Sequence, residues 1–144
     1  LQQKVLDAMK EAQSEFDKQV KTFDNINKQL DHNIELINLL TDKNDYETLA
    51  KQYAAQTKNR EQELDFYTKQ KDYWENYLKT LEEGSKEWED AKEKYNAAAE
   101  AWSNALKTTI ETARKEFENN INLIFKTINN QLTDNKGLEY LNTE

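Results

Sequence analysis

Proline is absent from this 144-residue chain, and glycine occurs only twice. Proline costs about 3 kcal/mol inside a helix and glycine about 1 kcal/mol. A chain that avoids both keeps its helices unbroken over long distances. Its apolar residues recur every three or four positions, which places them on one helical face. Alternating strand patterns are missing, and the two valines are too few for a sheet protein.

The first periodic segment runs from about residue 2 to residue 40. Met9, Phe16, Phe23, Leu30 and Ile37 fall at seven-residue intervals, with Val5, Ala12, Ile26 and Leu40 on a second line and Val20 and Ile34 widening the stripe. Thr41-Asp42-Lys43-Asn44-Asp45 interrupts it. Asn44 with Glu47 has the spacing of a capping box, and Asp45 is an equal candidate for the cap. Neither glycine nor proline marks this break, so a helix kinked through it is the alternative to a reversal.

A second helix is expected over residues 46–82. Tyr46, Tyr53, Arg60, Tyr67, Trp74 and Leu81 repeat every seven residues, flanked by Leu49, Leu64, Tyr77 and Leu78. Gln56, Arg60, Glu63 and Gln70 lie on or beside that line, which predicts a thin and partly wet seam. Gly84 suits the left-handed residue that closes a helix, and Ser85 suits the next N-cap. The third helix is expected over residues 86–132. Trp88, Ala91, Tyr95, Ala98, Trp102, Ala105 and Leu106 begin its stripe. Ile110, Ala113, Phe117, Ile121, Ile124, Ile128 and Leu132 continue it, with Phe125 alongside.

These elements predict an all-α fold, an elongated antiparallel three-helix bundle or coiled coil over residues 1–137. The hairpin 46–132 is its best-defined part, and residues 138–144 read as a tail or the start of a further segment. The start at Leu1 rather than Met suggests a fragment or a processed product. A mean hydropathy of -1.11 is low for a compact globule but suits a rod whose helices each bury one stripe. Three tryptophans, seven tyrosines and five phenylalanines at helical spacing argue against disorder.

The net charge is -8, with acidic and basic residues interleaved throughout. No basic patch stands out, so direct nucleic-acid binding is not expected, nor is attachment to an anionic membrane surface. No apolar run approaches the roughly 20 residues that span a bilayer. Without cysteine the chain has no disulfide, thiolate metal site or cysteine nucleophile.

Motifs for chemistry are sparse. His32, the one histidine, has Asp31 and Glu35 nearby but no sign of a substrate pocket, and reads as a surface residue. The acidic groups Glu61, Glu63 and Asp65, and Glu87, Glu89 and Asp90, read as solvated helix faces. Phosphate-binding loops, nucleophile elbows, Glu-x-x-His pairs and calcium loops do not occur. We therefore expect no enzyme: no catalytic, cofactor-binding or metal-binding residues, no cofactor and no small-molecule substrate. Tyr73, Trp74 and Tyr77, with Trp88, Tyr95 and Trp102, flank the Gly84 turn. They could form a partner platform, but their helical spacing favours a core in which the two groups stack across the hairpin.

Leu81-Glu82-Glu83-Gly84-Ser85, followed by Glu87 and Trp88 and then by a long helix rich in Lys, Glu and Ala, resembles a helix–turn–helix run of phage tail tape-measure proteins. The resemblance covers about residues 73–132 and extends to the ejected cargo proteins of phage virions. It implies a structural segment in the virion, in the tail or its interior, used in tail assembly or genome delivery. The implied partners are other virion proteins or copies of the chain itself. A helical protein-binding module or spacer of a bacterial surface protein is the alternative.

Overall fold

The computed structural model describes residues 2–40 and 45–133. It contains three helices, α1 (Gln2–Leu40), α2 (Tyr46–Leu78) and α3 (Lys86–Thr133), and no strand among the described residues. At 1.5 Å per residue α3 is about 70 Å long. The fold is an all-α bundle of long helices.

Contacts between α1 and α2 converge toward the loop that joins them. The Asn33 and Gln52 side chains meet at 3.3 Å. Gln56 donates to Asp31, and Asn59 to Asn27. The first helix therefore folds back, antiparallel to the second. Asp45 supplies the cap: its carboxylate accepts from the Thr48 backbone N–H at 3.2 Å and from the Thr48 hydroxyl at 2.9 Å. Asn44, the other candidate, lies outside the described residues.

The turn between α2 and α3 departs from expectation. α2 ends at Leu78 rather than residue 82. Thr80 N–H and Leu81 N–H reach back three residues to the carbonyls of Tyr77 and Leu78, and the Thr80 hydroxyl also takes the Tyr77 carbonyl at 2.7 Å. These tighter bonds unwind the last turn and let Leu81 pack on the core. Gly84 consequently closes a separate turn instead of the helix. Ser85 N–H bonds the Glu82 carbonyl at 3.1 Å, and Gly84 has φ +86°, the sign a type II turn requires at its third residue. Ser85 does cap α3, its Oγ accepting from Trp88 N–H at 3.2 Å.

The core is concentrated near this turn. Met9 and Trp74 are 0% exposed and pack with Ala91 and Ala98, one contribution from each helix and a second from α3. Val5, Leu6, Ala12, Phe16, Tyr77, Leu78, Leu81 and Tyr95 surround them. Farther along, the buried positions turn polar: Asn27, Gln56, Asn59, Glu63 and Gln70, then Thr109, Thr112 and Asn119. The expected wet seam is present. On α2 it runs through Leu49, Gln56, Glu63 and Gln70, whereas the aromatic heptad beside it is fully buried only at Trp74.

The second half of the α3 stripe is a larger correction. Ile110, Phe117, Ile124, Phe125, Ile128 and Leu132 are all exposed. The residues that α3 buries include Ala91, Ala98, Ala105, Thr112 and Asn119, an unbroken seven-residue repeat. Thr109 adds to this face: its hydroxyl lies 3.3 Å from the Arg60 carbonyl. The apolar stripe changes phase after Leu106, whereas the packing line does not.

Candidate functional site

Two surfaces are candidates. The first is a groove with α2 as floor and α1 and α3 as walls. It arises because α2 holds both partners while α1 and α3 scarcely touch. One cleft of about 430 Å³ is lined by Gln13, Asp17 and Val20 of α1, Tyr67 and Gln70 of α2, and Ala97 and Ala101 among the residues of α3. A neighbouring cleft of about 270 Å³ shares Tyr67 and Ala101 and continues past Asp24, Arg60 and Glu63.

Its electrostatics follow from burial. Glu63 is only 4% exposed and is paired with Arg60 at 3.0 Å. It is thus the exception among the acidic groups read as solvated. Burial pushes the Tyr67 phenol up to about 12, with the nearby Glu63 and Asp24 carboxylates adding to the rise. Tyr67 therefore stays protonated near neutrality and can donate a hydrogen bond, but it cannot serve as a base there. The buried Gln70 Oε1 has no hydrogen-bond partner among the described residues. The groove offers polar contacts along a shallow channel.

The second surface is the outward face of α3. Thr112 and Ile121 are nine residues apart, about two and a half turns, and so lie on opposite sides of the helix. Asn119 and Ile110 stand in the same relation. The Asn119 amide donates to the Tyr46 carbonyl at 2.9 Å, which fixes the inward side where α2 begins. From residue 120 onward α3 runs about 20 Å past the first residue of α2. Large apolar side chains line the side turned away from the bundle, with Phe117 64% and Phe125 60% exposed.

The residues singled out from sequence take other places. His32 is exposed on α1, and Asp31 accepts a hydrogen bond from Gln56 instead of orienting it. Asp65 pairs with Lys69 at 2.9 Å and Asp90 with Lys94 at 3.0 Å, while Glu61 and Glu89 face solvent. Groups of three or more metal-ligating side chains are not found among the described residues. No helix among them is long and apolar enough to cross a membrane.

The aromatic clusters do not stack across the hairpin. Trp74 meets Phe16 of α1 and its neighbours Tyr73 and Tyr77 edge to face or nearly so. The aromatics of α3 are met by lysines instead: Lys71 over Trp102 at 5.0 Å, and Lys92 over Trp88 and Tyr95. Trp102 Nε1–H also donates to the Thr68 hydroxyl at 3.0 Å. The Lys92 contacts lie within α3, so register across the hairpin is held by Lys71 over Trp102, Lys94 over Trp74, and the polar bonds of Trp102, Thr109 and Asn119 to α2.

No protein-family model, no curated protein and no solved structure matches this chain. The outward face of α3 was missed because apolar periodicity alone does not say which stripe meets a neighbour. One signal was available. Continuing the small-residue repeat Ala91-Ala98-Ala105 by sevens leads to Thr112 and Asn119, not to Ile110 and Phe117.

Proposed function

We propose that this chain is a structural segment of a phage virion, of the tape-measure or ejected-cargo kind, working as a helical rod in tail assembly or genome delivery. The observation that carries the reading is that the second half of α3 turns large apolar side chains, Phe117 and Phe125 among them, away from its own bundle. A contiguous exposed apolar stripe marks a surface completed by another protein. The turn residues Leu81-Glu82-Glu83-Gly84-Ser85 supply the likeness to phage tail proteins. Long helices, no cross-links and polar seams suit a rod whose helices separate in turn during passage. The charge of -8 disfavours adhesion to packaged DNA.

On this reading the partners are other virion proteins or copies of the chain. Fractionation of purified phage particles followed by mass spectrometry tests it. Peptides of this chain should be found in the tail or particle interior. Their absence from particles, together with their recovery from a bacterial envelope, would transfer the chain to the alternative class, a surface-protein binding module or spacer.

A further inference from the structure

We propose that two copies of this chain associate through the outward face of α3, antiparallel, about a two-fold axis at Ile121. The inference rests on the reading that the chain works by helix packing. It adds the surface, the partner and the register.

The stripe is symmetric about its centre. Ile110 and Leu132 lie equally far from Ile121, one on each side, and so do Phe117 and Phe125. At about 100° per residue these five side chains fall within about 40° of the Ile121 direction. An antiparallel two-fold contact places position 121+n of one copy level with position 121-n of the other. Phe117 then meets Phe125, Ile110 meets Leu132, Ile128 covers the stem of Arg114, and Ile121 meets itself. An isologous contact requires this kind of self-complementarity. A parallel pairing would instead set Phe117 against Phe117 and leave Arg114 beside Arg114 in the apolar seam.

The surface is also large enough. Half-exposed aromatic and aliphatic side chains each offer about 100 Å², so six of them give roughly 600 Å² per copy. The two faces together reach about 1,200 Å², the lower bound for a specific interface. Among the described residues access is open, because Thr112 and Asn119 direct the opposite side of the helix toward α2. The result is a rod about one and a half times as long, with the two Gly84 turns at its far ends, about 110 Å apart.

The chain has no cysteine, so single cysteines test the register directly. In the full chain, Ile121→Cys should cross-link to itself under mild oxidation. Ile110→Cys and Leu132→Cys should fail alone but cross-link when mixed. Sedimentation equilibrium should give a dimer, and Phe117→Lys should weaken it at least about tenfold with helix content unchanged by circular dichroism. Self-cross-linking at all three positions would mean a parallel pair and overturn the proposal. So would a monomer at high concentration, whether the stripe is then bare or covered by the chain's own residues. A monomer that is nevertheless recovered from phage particles would refute the dimer and leave the virion reading standing.

Discussion

Asn59 donates its side-chain amide to Asn27 Oδ1 at 2.8 Å, joining α2 to α1 across a buried part of their seam. The same amide lies 3.4 Å from the Phe23 carbonyl. A buried polar pair fixes register because any slip leaves both groups without partners. Asn59→Ala should therefore cost about 1–3 kcal/mol. Replacing both residues with leucine should cost much less than the two single changes together. A double-mutant cycle by urea denaturation measures this coupling, and strict additivity would remove the register role.

Hydrophobic stabilisation is concentrated at the Gly84 end, where all three helices meet. Trp74→Ala should lose about 3–5 kcal/mol and Met9→Ala about 2–5 kcal/mol. Leu39→Ala, at an exposed site on α1, should change stability by less than about 0.5 kcal/mol. Thermal unfolding of the three variants provides the comparison. Similar losses at all three sites would mean that burial is spread evenly.

Opening should begin at the other end. The seam at Gln56, Asn59, Thr109 and Asn119 is held largely by hydrogen bonds between helices. Amide hydrogen exchange should show the strongest protection around Trp74 and Ala98 and weaker protection around Gln56 and Thr112. A uniform profile would indicate all-or-none unfolding.

Tyr67 links stability to alkaline pH. Its folded-state pKa is raised to about 12 from the ordinary 10.0, mainly by burial. The folded state thus holds the proton more tightly than the unfolded state. This contribution is complete below pH 10 and is lost as pH rises toward 12. Phenolate absorbance should show a late step near pH 12, and Tyr67→Phe should remove it. Tyr67→Phe should also flatten the loss of stability over the same interval.

Gly84 can be replaced without a clash, since a Cβ there meets nothing within 4 Å. Its φ of +86° is the obstacle. Gly84→Ala should cost about 1–2 kcal/mol through backbone strain alone, measured by chemical denaturation. A neutral result would mean that the turn relaxes to another type.

Much of the architecture could be read from local pattern. Unbroken heptads from Met9 to Ile37 specify α1, Asp45 and Ser85 announce the starts of α2 and α3, and the row Gln56, Glu63, Gln70 foretells a polar seam. Hydrophobic period, caps and turn residues act within a few positions of themselves, so the chain carries them openly. Two features depend on the neighbours. Leu81 leaves the helical path because the core beside Trp74 receives it, which shortens α2. Rotation of α3 is decided by how closely Ala91, Ala98 and Ala105 let it approach α2; a helix is rigid, so that contact also carries Thr112 and Asn119 inward. Sequence alone determined that Ile110, Phe117, Ile121 and Leu132 share a face. Only packing decided that this face looks outward, because a helix can bury one side against its neighbour and must present the other to whatever comes next.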